Sequence, residues 1–186
     1  SSSAASDVYK RQVIGGGPAG MFAAIAAAET GSQVILLEKN EKLGKKLFIT
    51  GKGRCNITNA GDMDNLFANV MTNAKFLYSA FYSYDNQRVI DFFERNGLRT
   101  KTERGNRVFP VSDHSSDVIA TLQKVLKEKK VKVMLHTQVQ SLLMESSGED
   151  APENIVTGVK LTDGTTMPAD AAVSYTHLRA HETDQY

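Results

Sequence analysis

Two short apolar runs flank an alanine-rich segment near the start of the chain. Val13 and Ile14 come before a cluster of glycines, Ala19 to Thr30 is rich in alanine, and Gln33 to Leu37 reads QVILL. Short apolar runs of this kind are typical of buried parallel strands, and alanine favours helix. Gly31 suits the position at which that helix ends. The pattern therefore predicts a strand–helix–strand unit.

The middle of the chain predicts a loop followed by helices. Residues 39–62 are rich in Gly, Lys and Asn, which indicates an extended loop with a brief turn of helix. Residues 73–96 have the spacing of two helices, with Asp85 as the N-cap of the second and Gly97 after its end. The aromatic residues of this stretch, from Tyr78 to Phe93, are interpreted as core rather than as the wall of a substrate site.

The last part of the pattern predicts one helix and several strands. A hairpin is expected to turn around Gly105, and Ser115 or Ser116 can cap a helix that runs to about Lys130. The strand candidates, with a turn at Asp163-Gly164 after the third, are Val131–His136, Val139–Met144 and Ile155–Leu161. This order of elements predicts an α/β fold, in which a Rossmann-like, doubly wound sheet carries a β-meander and a small insertion.

The glycines between the first strand and the helix form a G-x-G-x-x-G fingerprint. Gly15 permits the tight turn, Gly17 lets a pyrophosphate approach the backbone, and Gly20 lets the helix pack close to the strands. The helix N-terminus presents free N–H groups and a partial positive charge to phosphates. The predicted cofactor-binding residues of this turn are Gly15, Gly16, Gly17, Pro18, Ala19 and Gly20. The alternative is a glycine-rich turn in an α/β protein that binds no ligand.

Glu38 follows the second apolar run, where an acidic residue completes the fingerprint. Its carboxylate can accept hydrogen bonds from both ribose hydroxyls of an adenosine, and it would repel a 2′-phosphate, which disfavours NADP. Both FAD and NAD satisfy this pattern. The long loop after Glu38 favours FAD, because a simple NAD-dependent dehydrogenase usually resumes strand–helix alternation soon after this point.

The composition of the chain limits the classes of partner that we expect it to bind. The 186 residues carry a formal net charge of +1, which gives no general attraction to nucleic acid or to an acidic membrane surface, and no apolar run is long enough to span a membrane. The single cysteine excludes an internal disulfide and fits a reducing compartment, so we expect a cytoplasmic protein with a small-molecule substrate. No metal site is predicted, because His114 and His136 lack metal-ligand spacing. The sequence leaves the oligomeric state open.

Both ends of the chain are expected to lie outside the domain. The opening segment SSSAASDVYKRQ resembles a library-adapter translation, and the closing segment SYTHLRAHETDQY resembles its partner. His177 and His181, four residues apart, fall in that closing segment and are therefore discounted as metal ligands. This interpretation assigns residues 1–12 and 174–186 to non-native ends and residues 13–173 to an incomplete FAD-binding domain. The alternative is a natural arm and a natural tail.

The run TGKGRCNITN, from Thr50 to Asn59, follows the fingerprint, and GNRVFPVSDHSSDVIATLQ comes later in the chain. Together they resemble the BaiN/RdsA-type bacterial flavoproteins, a family of NAD(P)/FAD-dependent oxidoreductases that are aminoacetone oxidase-like. The resemblance implies non-covalently bound FAD, and an inserted β-rich domain and a closing FAD segment beyond the point where this chain stops. It covers residues 13–173. The family has an A-T-G-G-like turn after the strand that reads ADAAV here, whereas this chain continues as SYTHL.

The resemblance also implies roles for particular residues. Glu38 would hold the adenosine, Lys39 would lie beside the adenine or ribose, and the backbone of Val139 would bond to the adenine edge. The path of the pyrophosphate and the flavin would be lined by Gly51, Gly53, Arg54, Cys55 and Asn56.

The chemistry of the residues themselves leaves alternatives for Arg54 and Cys55. A flavin that takes up a hydride gains negative charge around N1 and the C2 carbonyl, and Arg54 with nearby Lys52 can supply a cation there. The alternative for Arg54 is a solvated loop charge. Cys55 is either a redox thiol, activated by Arg54, or an inert packed residue, and the second interpretation is favoured.

The sequence thus predicts an FAD-dependent oxidoreductase. FAD would move a hydride or an electron pair between a reduced donor, NAD(P)H, and a small organic acceptor, and the sequence identifies no catalytic acid or base. Two alternatives stay open: an NAD-dependent dehydrogenase and a non-catalytic FAD- or nucleotide-binding module. Because the resemblance implies further FAD-binding segments, this chain alone is expected to bind FAD weakly or not at all and to show no turnover.

Overall fold

A computed structural model describes residues 8–146 and 154–174. The strands, in chain order, are β1 Lys10–Ile14, β2 Gln33–Leu37, β3 Thr58–Asn59, β4 Thr100–Glu103, β5 Arg107–Pro110, β6 Lys132–Met134, β7 Val139–Ser146, β8 Asn154–Leu161, β9 Thr166–Pro168 and β10 Ala171–Ser174. The helices are α1 Pro18–Glu29, α2 Lys45–Ile49, α3 Met63–Ala68, α4 Tyr78–Ser83, α5 Asn86–Arg95 and α6 Ser115–Glu128, with 3-10 helices at Thr50–Gly53 and Ala74–Leu77. The chain divides into two compact units, one within Ser1–Leu43 and Val125–Tyr186, the other Gly44–Lys124.

The first unit contains the predicted parallel sheet. Its strands lie in the order β10-β1-β2-β6, and every neighbouring pair is parallel. The strand expected at residues 131–136 therefore belongs to this sheet, and the antiparallel meander consists of β7, β8 and β9. The predicted α/β class and Rossmann-like sheet are confirmed.

Helix α1 connects β1 to β2 as the pattern predicted. It begins at Pro18, after the extended residue Gly17, and its last residue is Glu29, which is followed by the C-cap Thr30 and by Gly31 at a φ of 82°. Pro18 suits this first helical position because its missing N–H has no partner to lose there. The buried face of α1 consists of Gly20, Met21, Ala24, Ile25 and Ala27. Small residues on this face allow close packing of a helix on its strands.

Strand β1 begins earlier than the apolar pair suggested. Lys10, Arg11 and Gln12 pair in parallel with β2, and Arg11 and Gln12 also pair with β10. Backbone pairing does not require apolar side chains, so the hydrophobic pattern could not reveal this part of the strand. Gln12 is 1% exposed, and its Nε2 donates to the carbonyl oxygen of Met167 at 3.1 Å.

The second unit contains a three-stranded antiparallel sheet in the order β3-β5-β4. The hairpin predicted around Gly105 is confirmed, and it joins β4 to β5 with Gly105 at a φ of 77°. The predicted N-cap of α5 is also confirmed, since Asp85 Oδ1 accepts a hydrogen bond from Arg88 N at 2.7 Å. Ser115 does not cap α6; it is the first helical residue, and its hydroxyl donates to the carbonyl oxygen of Phe48.

The aromatic residues before α5 do not form a core, and the prediction was wrong for most of them. None of the described residues of α3, Ala74–Leu77 or α4 is buried, and Tyr78 and Tyr82 are 46% and 68% exposed. The rings pack on one another instead, with Phe67 edge-on to Tyr78 at a centroid distance of 4.6 Å. Phe93, on α5, is buried as predicted.

Candidate cofactor-binding site

The parallel pairing of β1 and β2 brings the two halves of the fingerprint together. Ile14 lies opposite Leu37, so the residues that follow them, Gly15 and Glu38, leave the sheet side by side. Gly15 N donates to Leu37 O at 2.8 Å. Ligands of open α/β sheets bind outside the carboxyl ends of the strands. The turn and the acidic residue therefore share the edge at which a dinucleotide is expected.

Two glycines of the turn are required by the fold itself. Gly15 has a φ of 101°, in the region that side chains disfavour. A Cβ added to Gly20 would lie 1.8 Å from Gly15 O, a backbone atom. The start of α1 and the turn are thus too close for any side chain between them, as the close-packing role of Gly20 predicted.

Gly17 is different, because its surroundings are open. Its backbone is extended, with φ −75° and ψ 176°, which any residue can adopt. A Cβ added to Gly17 would meet no atom of the described residues within 4 Å. The fold therefore does not need a glycine at this position, whereas close approach of a ligand to the backbone would.

The N-terminus of α1 begins directly after Gly17, which is the N-cap of the helix. No side chain in the described part of the chain caps this helix, and its first turn contains no acidic residue. The first backbone bond across the turn is from Met21 N to Gly17 O, at 2.9 Å. The N–H groups before it have no partner within the helix, and with the helix dipole they favour an anion.

The carboxylate of Glu38 lies against the turn. Its Oε2 accepts from Gly16 N at 2.6 Å, and the side chain is 7% exposed. A Cβ on Gly16 would lie 2.3 Å from Leu43 Cδ2 and 2.9 Å from Glu38 Oε2. Gly16, which has no assigned role in the fingerprint, is therefore the residue that lets the acid reach the backbone of the turn.

The sequence interpretation missed one residue of this site, Asn40. Its backbone N and its Nδ2 both donate to Glu38 Oε1, at 2.8 and 2.6 Å. The spacing of two residues between Glu38 and Asn40 is the sequence signal that could have indicated this local contact. Lys39, between them, is exposed. The side chain of Val139 packs against the core cluster of Leu37, Val159 and Leu161, and the proposed role of its backbone at the adenine stays a prediction.

The second unit contains the other predicted lining residues, which lie in and after the 3-10 helix Thr50–Gly53. Here Arg54 is not a free cation. Its Nε and Nη2 donate to Asp113 Oδ1 at 3.0 and 2.6 Å, and Nη2 also donates to Glu103 Oε1. The guanidinium lies over the ring of Phe109, 4.4 Å from its centroid. Lys101 completes the group through Asp113 Oδ2, at 2.6 Å.

The charges of this group compensate one another. The hydrogen bonds that Arg54 donates to Glu103 and Asp113 raise the pKa of Arg54 above its usual range. The hydrogen bond from Arg54 lowers the pKa of Glu103, and those from Lys101 and then Arg54 lower the pKa of Asp113. The two cations and two carboxylates of this group sum to no net charge. In the structure, Arg54 attaches its loop to Glu103 and Asp113. Its predicted role beside the flavin remains untested.

Asn56 is likewise engaged with the backbone. With its amide oriented to satisfy both polar atoms, the nitrogen donates to Val108 O at 3.2 Å and to Thr58 O at 2.9 Å. Asn59 continues the pattern, donating from Nδ2 to Gly105 O and accepting from Gly61 N. Asn56 and Asn59 thus attach this segment to β5 and the hairpin. Gly53, with a φ of 85°, supplies a turn that favours glycine.

Cys55 is a buried thiol, 1% exposed. Desolvation raises its pKa to about 11, whereas a neighbouring free cation would lower it. Arg54 does not activate the thiol, because its charge is compensated by Glu103 and Asp113. These observations support the inert, packed interpretation of Cys55 over the redox one.

We expect Cys55 to resist alkylation in the native protein. Its ordinary pKa is 9.0 and its folded pKa is about 11, so near pH 8 the native thiolate fraction is roughly 100-fold lower than in the unfolded chain. Iodoacetamide labelling, followed by mass spectrometry at pH 8 with and without guanidinium chloride, measures the difference. Cys55 is the only cysteine, so Cys55→Ser provides the unlabelled control. Native labelling within a few fold of the unfolded rate would contradict the inert interpretation.

The same shift has a consequence for stability. Because the folded pKa is raised, the protonated thiol favours the native state fully below pH 9, and this contribution is lost as pH rises through 11. The fraction of native Cys55 present as thiolate increases over the same range. The native alkylation rate should therefore increase up to about pH 11.

Two further classes of site were sought within residues 8–146 and 154–174. No group of three His, Cys, Asp or Glu side chains there could hold a metal ion. The helices in that part of the chain are too short or too polar to cross a membrane. His177 and His181 lie outside the described residues.

Comparison with known proteins decides the family. Residues 9–173 match the HI0933-like protein Rossmann domain. This chain belongs to the HI0933-like family. The membership confirms the resemblance to BaiN/RdsA-type flavoproteins drawn from the TGKGRCNITN segment.

Two curated enzymes are related in sequence to this HI0933-like chain. The 3-dehydro-bile acid delta(4,6)-reductase of Clostridium scindens is 33% identical over 87% of the chain and 37% of its own length. The ribosomal RNA dihydrouridine synthase of Escherichia coli is 26% identical over 91% of the chain and 43% of its own length. The chain thus spans about two fifths of the length of these relatives.

The fold is similar to that of solved enzymes. The 3-ketosteroid delta1-dehydrogenase of Sterolibacterium denitrificans superposes with a TM-score of 0.66 at 17% identity, over 90% of this chain and 47% of the other. At this identity the likeness shows the fold alone, and it agrees with the parallel sheet and the β1–α1–β2 unit described above.

Proposed function

We propose that this HI0933-like chain is the FAD-binding part of a flavin-dependent oxidoreductase. The pyrophosphate would lie against the backbone of Gly15–Gly20, and the adenosine ribose would bind Glu38. When bound, FAD supplies the transfer of a hydride or an electron pair, chemistry that protein side chains lack. The contribution of the chain is binding and orientation.

One observation carries the proposal: an open backbone and a fixed carboxylate meet at one turn. The Cβ position of Gly17 is empty of described atoms within 4 Å, and Glu38 Oε2 lies 2.6 Å from Gly16 N. The open position accommodates a phosphate, and the N-terminus of α1 favours its charge. The carboxylate can accept a ribose hydroxyl and disfavours a 2′-phosphate. The fold does not require glycine at position 17, whereas a ligand that approaches the backbone does.

The relatives support the reaction class. The name of the Clostridium scindens protein identifies it as a reductase of a bile acid, a small organic acceptor. We infer the same general class for the whole protein here, with NAD(P)H as electron donor. The name of the Escherichia coli relative includes ribosomal RNA, so the absence of a nucleic-acid partner, argued from a net charge of +1, stays a prediction.

An NAD-dependent dehydrogenase remains the second candidate, because NAD shares the adenosine and pyrophosphate. The structure favours FAD in one respect. Between β2 and β6 the chain forms a separate unit, Gly44–Lys124, with its own antiparallel sheet. A simple dehydrogenase would be expected to continue with another strand–helix repeat at this point.

The visible spectrum of a homologue of the relatives' length tests the proposal. A protein that carries the equivalents of Gly15–Glu38 and Thr50–Asn59 should be yellow, or become yellow on reconstitution with FAD, and should lose that absorbance when NAD(P)H is added without oxygen. A protein that takes up no FAD but retains NAD would favour the dehydrogenase. A protein that binds FAD without reduction by any donor would favour the non-catalytic module.

A further inference from the structure

We propose that Asn40 is a positioning residue, which fixes the ribose-binding carboxylate of Glu38 before the cofactor arrives. The inference rests on the proposed function for the ribose, but it concerns a residue outside the fingerprint. Asn40 would not touch the reacting part of the cofactor. It would act through Glu38.

Within the described residues, three N–H groups donate to the carboxylate of Glu38. Asn40 N and Nδ2 donate to Oε1 at 2.8 and 2.6 Å, and Gly16 N donates to Oε2 at 2.6 Å. A carboxylate offers about four acceptor positions, two on each oxygen. The arrangement saturates Oε1 and leaves Oε2 with about one open position, on the oxygen that lies against the glycine turn.

The backbone around Asn40 is itself fixed. Glu38 N donates to Met134 O at 2.9 Å, and Thr137 N donates to Glu38 O at 2.9 Å. His136 N then donates to Asn40 O at 3.1 Å. These bonds continue the pairing of β2 with β6 beyond the end of the sheet. The short, half-buried side chain of Asn40 therefore extends from a hydrogen-bonded backbone and can hold the carboxylate in one orientation.

Fixing the carboxylate has two consequences for binding. A flexible glutamate would lose rotamer freedom when it binds a ribose, and a carboxylate already held in place loses less. The single open position of Oε2 also means that the carboxylate takes one strong hydroxyl bond without giving up Asn40. We therefore expect one of the two ribose hydroxyls to contribute much more to affinity than the other.

The experiment is a ligand–mutant cycle in the 186-residue chain. ADP, 2′-deoxy-ADP and 3′-deoxy-ADP are titrated into the wild-type protein and into Asn40→Ala, Asn40→Asp and Glu38→Ala, with amide NMR reporting dissociation constants into the millimolar range. In the wild type, removal of one hydroxyl should weaken binding about tenfold and removal of the other should weaken it much less.

Asn40→Ala should weaken ADP binding about 5- to 10-fold and remove most of the difference between the two deoxy ligands. Asn40→Asp keeps the size of the side chain but places a second carboxylate against Glu38, and it should weaken binding further. Asn69→Ala, the same change at an exposed asparagine of the second unit, should alter neither value.

A measurement without ligand keeps the test independent of binding. Without ligand, Gly16 N–H should exchange with solvent at least about tenfold faster in Asn40→Ala, because the carboxylate loses the Nδ2 bond, keeps only the backbone bond from residue 40 at Oε1, and holds Gly16 N–H less firmly. Unchanged protection of Gly16 would overturn the inference. So would an equal loss of affinity for all three ligands, which would indicate a merely structural role.

Glu38→Ala and Asn40→Ala together distinguish a failure of the proposed function from a failure of the role of Asn40. If Glu38→Ala leaves ADP affinity unchanged, the ribose site itself is wrong and the proposed function loses its support. If Glu38→Ala weakens ADP and abolishes the hydroxyl discrimination while Asn40→Ala changes neither, the proposed function stands and the role of Asn40 is refuted.

Discussion

Gly20→Ala is expected to destabilise the protein by about 3 kcal/mol or more, near the upper end of the range for overpacking substitutions. The added Cβ would lie 1.8 Å from Gly15 O and 3.0 Å from Gly15 C. Both are backbone atoms of a turn that is bonded to β2 through Gly15 N. The clash therefore cannot be relieved by a side-chain rotation, and either α1 or the end of β1 must move. Urea unfolding, followed by circular dichroism, measures the loss.

Gly17→Ala provides the matched control for that experiment. The same atom is added three residues away, at an extended backbone position where it meets no described atom within 4 Å. Alanine is a poorer N-cap than glycine, so a loss of up to about 1 kcal/mol is expected. Equal destabilisation by the two variants would mean that the close contact between Gly20 and the turn does not exist.

Gly17→Val is expected to leave the fold intact and to reduce cofactor binding at least about 100-fold. A branched side chain would occupy the space next to the N-terminus of α1, where the pyrophosphate is proposed to lie. Because no described atom lies within 4 Å of the Cβ position of residue 17, the free energy of unfolding should change by about 1 kcal/mol or less. The affinity for ADP, measured by amide NMR titration, should fall below detection.

Gly17→Ala should lie between the wild type and Gly17→Val in affinity, since a single methyl group fills less of the opening. Retained ADP binding in a folded Gly17→Val protein would remove the pyrophosphate from this turn. Together with Gly20→Ala, these variants separate two roles within one motif: Gly20 serves the fold and Gly17 serves the ligand.

Local patterns predicted the first unit well. The alanine-rich run became α1, the QVILL run became β2 with the bounds expected, and the spacing of the fingerprint placed Glu38 beside the turn. These features depend on neighbours in sequence and on the fixed geometry of a β–α–β unit. The N-cap at Asp85 and the hairpin turn at Gly105 were equally predictable, because each is specified by a few consecutive residues.

Contacts between residues distant in sequence were not predictable. Arg54 meets Glu103 and Asp113, which are 49 and 59 residues away, and nothing near Arg54 indicates those partners. Aromatic content suggested core at Tyr82, yet its short helix packs ring on ring and leaves it exposed. The polar start of β1 was not predictable for a similar reason. This part of the strand is defined by backbone pairing with β2 and β10 and not by its side chains.

The most direct test of the central claim is the location of amide shifts when FAD is titrated into the labelled wild-type chain. We expect saturable amide shifts at residues 38–40 and at residues 15–20 other than Pro18, which has no amide proton. The same residues should respond to ADP, and none of these shifts should occur in Gly17→Val. This readout follows weak binding, so it applies even where the isolated chain holds FAD poorly. Shifts confined to other parts of the molecule, with the glycine turn and Glu38 unaffected at saturation, would contradict the account.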